Sequence, residues 1–240
     1  DNTIDFNNSA NSSLTLVQTL ATDPFDTELC GYTSFSCIPQ QGSSITLDPL
    51  RELLMNRIHY RRFTTHEAMV MCHATDVDGN DRAGVRWYEL RRTTPTANWS
   101  IYQQGTYSPD TESRWMSSIA INADGSIGLA YNTSSSSSFP SLKYTGRKEC
   151  DALGTMTEPE TVIVAGGGAN TNNRYGDYAS MSVDPTDNSF WFTGEYNPSS
   201  SWSTRICNFD ILSCTPTVSF TSELQTVNEN EADITSGCLD

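Results

Sequence analysis

The sequence repeats one pattern three times: a strand-like segment, a short acidic turn and a second strand-like segment. The clearest copy runs from Arg114 to Thr145, where side chains alternate with period two on both sides of its turn. Related copies span His66 to Arg92 and Tyr175 to Ile206. The turns are Asp78-Gly79, Asp124-Gly125 and Asp187-Asn188, which lie 46 and 63 residues apart. An antiparallel meander repeated at about 40–60 residues is typical of β-propeller blades.

The sequence therefore predicts an all-β chain that forms a partial β-propeller of about three to four four-stranded antiparallel blades. Residues 45–214 are expected to contain these blades. Residues 1–44 are expected to be a connector with an entering strand at Leu14 to Leu20 and a disulfide-stapled loop. A strand is also expected from Leu53 to Arg62. Asp124-Gly125 predicts a two-residue turn, after which the chain returns as another strand. Gly166-Gly167-Gly168 predicts a flexible loop, since no helix follows it as in a phosphate-binding motif.

The charge balance excludes some classes of partner. The chain has 29 acidic and 14 basic residues, a formal net charge of −15. Nucleic-acid backbones need a basic surface, so nucleic acid is not expected as a partner. No apolar run reaches the ~20 residues of a membrane span. Low lysine content, with only Lys143 and Lys148, and seven cysteines suggest an extracellular or cell-surface protein.

The spacing of the cysteines favours disulfides over a metal site. Two pairs each enclose six residues and are predicted to close small loops: Cys30 with Cys37, and Cys207 with Cys214. Neither spacing matches a zinc knuckle. Cys72 lies within a strand pattern, which predicts a buried free thiol. The two remaining cysteines are Cys150 and Cys238.

Six residues at the starts of the expected inner strands are candidates for ligand binding. They are His66, Glu67, Arg114, Trp115, Tyr175 and Asp177. Such a ring of charged and aromatic side chains at the mouth of a propeller channel could hold a sugar by stacking and bidentate hydrogen bonds. The alternative is that the charged members tie neighbouring blades together through buried ion pairs. We favour the ion pairs, because buried charges are normally paired.

One acidic turn has the oxygen-ligand spacing of a calcium loop. Its candidate ligands are Asp76, Asp78, Asn80 and Asp81. The bidentate glutamate of such loops is missing, and Asp-Gly turns between strands are common without a metal. We favour a plain hairpin, and calcium is the one cofactor that the sequence suggests.

The region from about Phe25 to Phe209 resembles propeller-like regions of large secreted bacterial proteins. The resemblance lies in the runs YELR (88–91), RWM (114–116), YTGR (144–147) and GDY (176–178). The repeats are more loosely similar to sialidase-type propellers, whose Asp-box turns join the outer strands of each blade, although the full Asp-box signature is not spelled out. Residues 215–240 resemble the opening of Calx-β-type domains and are expected to begin a further β-sandwich-like module or a linker.

The resemblance implies a secreted location and a propeller architecture, and no established activity comes with it. A closed ring of the sialidase type would need about six blades, so the remaining blades are expected from the same protein or a partner polypeptide. The expected function is a non-catalytic binding or structural module, for example in adhesion, with a glycan as candidate ligand. A second hypothesis is a subunit of an extracellular filament or secretion-associated complex.

A third hypothesis is a sialidase-like glycoside hydrolase. It would need an arginine triad for a substrate carboxylate, a tyrosine nucleophile assisted by a glutamate, and an acid aspartate. The residues available for these roles are Arg57, Arg86, Arg147, Arg174, Arg205, Tyr175, Glu195 and Asp177. The Arg-Ile-Pro signature of that family is missing, so enzymatic activity is not the favoured expectation.

Overall fold

The structure is a computed structural model that describes residues 15–31 and 34–214. This part of the chain contains eleven β-strands and no helix. The strands are β1 (His59–Arg62), β2 (Glu67–Asp76), β3 (Ala83–Arg92), β4 (Ser100–Tyr107), β5 (Ser113–Ile121), β6 (Ile127–Ser135), β7 (Ser138–Arg147), β8 (Thr161–Val164), β9 (Ser180–Val183), β10 (Phe190–Tyr196) and β11 (Ser203–Phe209). The all-β prediction is confirmed. Accordingly, the described residues offer no helix of the length and hydropathy that a membrane span requires.

The strands form three antiparallel sheets in which each strand pairs with its neighbours along the chain. The first sheet has the order β1-β2-β3-β4, the second β5-β6-β7-β8, and the third β9-β10-β11. Each of the three repeats read from the sequence corresponds to one of these sheets. The acidic turns join β2 to β3, β5 to β6 and β9 to β10.

The second sheet lies between the other two, because both of its faces are apolar. All nine residues of β5 are buried, and after a bulge between Trp115 and Ser118 successive residues face opposite sides. On one side Ile119 and Leu129 pack with Val70 and Trp87 of the first sheet. On the other side the apolar cluster includes Ala120, Ala130, Leu142, Phe190, Phe192 and Phe209, which joins the second sheet to the third. A two-sided apolar strand therefore sets the middle position of the second sheet.

The hairpin at Asp124-Gly125 is longer than the two-residue turn that the sequence predicts. The strand pairing ends with Ile121 opposite Ile127, and the N–H of Asn122 donates to the carbonyl of Ser126 at 2.9 Å. The Asn122 side-chain oxygen also accepts hydrogen bonds from the N–H groups of Asp124 and Ser126, each at 3.0 Å. Gly125 has φ +81°, which suits the left-handed end of a three-residue loop. An asparagine side chain therefore widens the turn.

Two predicted strands are shorter or absent. Only His59–Arg62 of the expected strand from Leu53 to Arg62 is extended and paired. Residues 15–20, within the expected entering strand, form no strand, and Leu16 is 86 % exposed. The residues expected to begin a further module, 215–240, lie outside the described part of the chain.

One of the two predicted disulfides is confirmed and the other is wrong. Cys30 is bonded to Cys37, but Cys214 is bonded to Cys150 and not to Cys207. Cys207 lies in β11, which pairs with β10. The Cys207 side chain packs against the apolar cluster between the second and third sheets. The chain after Phe209 then runs to the segment after β7, where Cys150 lies.

Cys72 is a buried free thiol, as the sequence predicts. Burial raises its pKa to about 12, although a hydrogen bond from the Ser117 hydroxyl, with an Oγ–Sγ distance of 3.3 Å, opposes that shift. A thiol with so high a pKa stays protonated and unreactive at neutral pH. Cys238, left over in the sequence, lies outside the described residues.

The triple glycine has a packing role that the sequence does not reveal. A Cβ atom on Gly166 would overlap the backbone oxygen of Pro140 in β7, and one on Gly167 would overlap that of Pro198 between β10 and β11. The N–H of Gly167 donates to the carbonyl of Asn197 at 2.7 Å. Glycine is thus required by the close approach of backbones from the second and third sheets.

Candidate functional site

The structure places Arg114 in a network of charged side chains that we name the Arg114 cluster. Its members are Arg114, Lys143, Asp110, Glu112, Glu160 and Tyr131. Arg114 is fully buried and donates two hydrogen bonds to Asp110, at 2.8 and 2.9 Å, and two to Glu160, at 2.8 and 3.1 Å. Lys143 donates to Glu112 at 2.7 Å and to Glu160 at 2.9 Å. Every charged group of the cluster therefore has an opposite charge beside it.

The lowered pKa of Glu160 shows how completely the charges of the cluster are paired. Burial by itself would raise the pKa of Glu160, but hydrogen bonds from Arg114, Tyr131 and Lys143 outweigh burial and hold the pKa below its ordinary value. Glu160 is therefore ionised at neutral pH. The ion-pair interpretation is confirmed for Arg114, with one correction: its partners lie in segments flanking strands of the second sheet, so the pairs tie that sheet to itself.

Glu67 and His66 lie apart from this cluster, in the first sheet. Glu67 is buried and accepts a hydrogen bond from Arg92 at 2.5 Å, directly across the pairing of β2 with β3. His66 stacks on Phe63, with ring centroids 4.6 Å apart. The six candidate residues are thus distributed over separate places and do not line one channel mouth.

Tyr175 and Asp177 lie in the segment before β9, next to the side chain of Glu195 from β10. The ring of Tyr175 packs against that of Trp115, with centroids 6.4 Å apart, and both side chains are buried. The N–H of Gly176 donates to the Glu195 carboxylate at 3.0 Å. This region combines three of the six candidate residues with Glu195.

A cleft of about 660 Å³ opens here, which we name the polar cleft. It lies between residues 170–179 and strands β10 and β11, and its lining includes Asn172, Arg174, Asp177, Tyr178, Glu195 and Trp202. Tyr178 and Trp202 are 62 % and 68 % exposed. Exposed aromatic rings beside polar groups are typical of ligand-binding clefts. Sequence reasoning missed Trp202, although a tryptophan within a serine-rich hairpin (SSSWS) is a usable signal.

Buried amide groups hold the segment that forms one wall of the polar cleft. The Asn170 side chain donates to the carbonyls of Asn172 and Arg174, at 2.7 and 3.2 Å. The Gln40 side chain accepts from the N–H of Asn170 at 2.7 Å and donates to its carbonyl at 3.0 Å. The wall is therefore positioned before any ligand binds, which lowers the entropic cost of binding.

The charges of the polar cleft are less completely paired than those of the Arg114 cluster. Arg174 forms an ion pair with Asp177, and its other terminal nitrogen lies 3.9 Å from Asp48. Burial raises the pKa of Glu195; the hydrogen bond from Gly176 opposes this shift, and the nearby Asp177 carboxylate adds to it. Glu195 forms no salt bridge with any described residue, and its carboxylate accepts a hydrogen bond from the N–H of Gly176.

Comparison with family models, curated proteins and solved structures gives no match. The function must therefore be inferred from the geometry of the polar cleft and of the surfaces around it.

The residues proposed for a sialidase-like mechanism meet only in part. Tyr175 is 2 % exposed, its hydroxyl donates to the backbone carbonyl of Glu195 at 3.2 Å, and burial raises its pKa. Of the five arginines available for a carboxylate clamp, all within the described residues, Arg174 alone lines the cleft. Arg86 instead donates to side chains of β4, and Arg147 donates to backbone carbonyls after β7. The structure does not assemble the clamp around Tyr175.

The predicted calcium loop is held together by its own hydrogen bonds. The carboxylate of Asp76 accepts from the N–H groups of Asp78, Gly79 and Asp81 at 2.9–3.0 Å. Asp78 also forms a salt bridge with Arg82 at 2.9 Å. Over residues 15–31 and 34–214, no group of three or more His, Cys, Asp or Glu side chains is arranged to hold a metal ion. Calcium binding stays a prediction, and the backbone N–H donors account for the shape of the loop.

The outer face of the first sheet carries an apolar groove of about 590 Å³. Its lining includes Phe25, Leu53, Leu54, Met71, Leu90 and Ile101. His73 lies at its base, where its Nε2 is 3.0 Å from the Tyr88 hydroxyl and its Nδ1 is 2.9 Å from the carbonyl of Ala74. The groove lies on the side of the first sheet that faces away from the second.

Proposed function

We propose that this chain is a non-catalytic extracellular binding module and that the polar cleft is its site for a glycan. The observation that supports this most is the pair of exposed rings, Tyr178 and Trp202, on a cleft lined by amide, hydroxyl and charged groups. Pyranose rings present apolar C–H faces and a rim of hydroxyls. Such ligands match flat aromatic surfaces flanked by hydrogen-bonding side chains.

The wider architecture in this proposal is a β-propeller. Its support is the meander order of all three sheets and the contrast between the middle sheet and its neighbours. The second sheet is covered on both faces, whereas the third exposes Trp191 (43 %) and Ile206 (66 %) and the first carries the apolar groove. Further blades, from the same protein or a partner polypeptide, would cover the apolar groove and the Trp191 end of the third sheet. They would have to leave open the polar cleft, which lies on the same face of the third sheet near Glu195. A subunit role in an extracellular assembly is the alternative use of the same faces.

The two disulfides are compatible with an extracellular location, where such bonds persist. The acidic surface is compatible with a module that stays dissolved and avoids nucleic acids. Both properties support the proposed location without specifying a ligand.

Glycan binding is tested by screening immobilised oligosaccharides and measuring the affinity of any ligand by calorimetry. Trp202→Ala is expected to weaken binding about tenfold, because it removes one stacking surface. Trp191→Ala is the matched control, since it removes an exposed tryptophan of the third sheet outside the cleft lining. Equal losses in the two variants would argue against the cleft as the site.

Glycoside cleavage is the second candidate function, and the closeness of Asp177 to Glu195 favours it. A carboxyl with a raised pKa beside a second carboxylate can serve as general acid. The test is prolonged incubation of the protein with each bound oligosaccharide, followed by mass spectrometry. Turnover that disappears in Glu195→Gln would replace the non-catalytic proposal.

A further inference from the structure

The polar cleft contains more negative than positive charge. Arg174 is the one guanidinium in its lining among the described residues, and it faces both Asp177 and Asp48. Arg205 belongs to the same sheet, but its strand partner Gly194 faces Leu142 of the second sheet, so Arg205 lies on the opposite face of the third sheet from Glu195. The lining of the cleft therefore has one cation, Arg174, for two carboxylates, Asp177 and Glu195, and Arg174 is also 3.9 Å from the buried Asp48.

Glu195 is the carboxylate with the least compensation. Its only hydrogen bond to a described residue comes from the N–H of Gly176, and its pKa is raised by burial and by Asp177. A partly buried carboxylate of this kind is stabilised by any cation that enters the cleft. An anionic ligand would instead meet repulsion from Glu195 and from the chain's net charge of −15.

The aromatic rings of the cleft also favour a cationic ligand. The faces of tryptophan and tyrosine rings attract ammonium groups, and Trp202 and Tyr178 expose theirs in the same cleft as Glu195. Rings and carboxylate together supply a stacking surface and a charge partner for one ligand that is both cyclic and cationic.

We infer that the polar cleft binds glycans that carry a protonated amine, as amino sugars do, in preference to neutral or acidic glycans. This inference rests on the proposed function, because it names the glycan class for the same site. The recognised chemistry is an ammonium group next to a pyranose ring. A small free ammonium compound presents the same charge without the ring, so the experiment must separate these two sources.

The test measures binding of three β-1,4-linked tetrasaccharides by calorimetry at about pH 6, where a sugar amine is protonated and most carboxylates are ionised. The three ligands are the tetramers of glucosamine, N-acetylglucosamine and glucose, and choline serves as the free ammonium. We expect the glucosamine tetramer to bind about tenfold more tightly than the other two tetramers, which corresponds to one charge-assisted hydrogen bond. We expect choline to bind much more weakly than the glucosamine tetramer.

Two variants connect this preference to the cleft. Glu195→Gln keeps the shape of the side chain and is expected to remove most of the preference for the glucosamine tetramer. Arg174→Gln removes the competing cation and is expected to strengthen binding of that tetramer severalfold. Asp124→Asn, at the exposed β5–β6 turn outside the cleft lining, is the control and is expected to change neither.

The outcomes separate this inference from the proposed function. Equal binding of the three tetramers would overturn the inference and leave glycan binding standing. Failure of every glycan to bind would overturn both. Choline binding as tight as that of the glucosamine tetramer would support an ammonium site and contradict a glycan site.

Discussion

The Arg114 cluster and the polar cleft are built from the same kinds of residue and differ in how completely their charges are paired. Each places an arginine between carboxylates and has a buried tyrosine nearby. In the cluster, two cations and three carboxylates interlock, and Arg114 has no exposed surface. In the cleft, the one guanidinium pairs with Asp177 and leaves Glu195 unpaired among the described residues, and the Arg174 side chain is 55 % exposed.

The difference teaches that charged residues at the start of a strand do not by themselves mark a binding site. A network in which every charged group already has an opposite charge beside it leaves little for a ligand to satisfy. A cleft in which a carboxylate keeps an uncompensated charge next to solvent can exchange water for a ligand. The two regions should therefore respond oppositely to removal of their charges.

The largest effect is expected from Arg114→Met. Removing the buried guanidinium leaves Glu160 and Asp110 without their main partner, so the free energy of unfolding should fall by about 3–5 kcal/mol. Arg174→Met in the exposed pair is the matched control and should cost less than about 1 kcal/mol. Urea denaturation of both variants measures the difference. Similar costs would mean that the two arginines play the same structural role.

An intermediate effect is expected from Glu160→Gln. The pKa of Glu160 is held below the ordinary pKa of a glutamate. Its ionised carboxylate therefore stabilises the folded protein at pH values above that ordinary pKa, and this stabilisation is lost as the pH falls through the lowered pKa. The variant should therefore lose about 2 kcal/mol of unfolding free energy at neutral pH, and the loss should shrink on acidification. Denaturant midpoints measured from neutral pH to about pH 3 would test this dependence. A loss independent of pH would point to altered packing.

The smallest effect, of opposite sign, is expected from Glu195→Gln. A raised pKa means that the stability associated with this group is fully present below the ordinary glutamate pKa and declines as the pH rises through the raised value. The neutral amide should hence stabilise the protein slightly at neutral pH, by less than about 1 kcal/mol, and have no effect in acid. Thermal unfolding at several pH values would detect it. Destabilisation at neutral pH would show that Glu195 is paired after all.

Much of the fold could be predicted because it depends on local patterns. Period-two alternation and acidic turns located three antiparallel meanders, and the strand with apolar residues on both faces, β5, proved to be the buried centre. Where the pattern was weak, as in residues 53–58, the prediction of a strand failed: the ladder between β1 and β2 begins only at His59, although the N–H of Met55 donates to the carbonyl of Cys72 in β2.

The candidate site was harder to predict because its properties depend on pairings between distant residues. Arg114 meets Glu160 46 positions later, and Gln40 holds Asn170 across 130 positions. The disulfide prediction failed for the same reason, since Cys214 reaches Cys150 across 64 residues while Cys207 stays in its strand. Alternation reveals which face of a strand is buried, but it does not reveal which polar group will stand opposite.

The bond between Cys150 and Cys214 also makes part of the chain a covalent ring. The ring encloses β8 and the whole third sheet, including both walls of the polar cleft. A protease that cuts once between these cysteines would open the backbone and release no fragment, because the two pieces remain joined through sulfur. In electrophoresis a nicked molecule would thus migrate as an intact one until the disulfide is reduced. The two walls of the polar cleft would remain covalently linked to the rest of the protein after the cut.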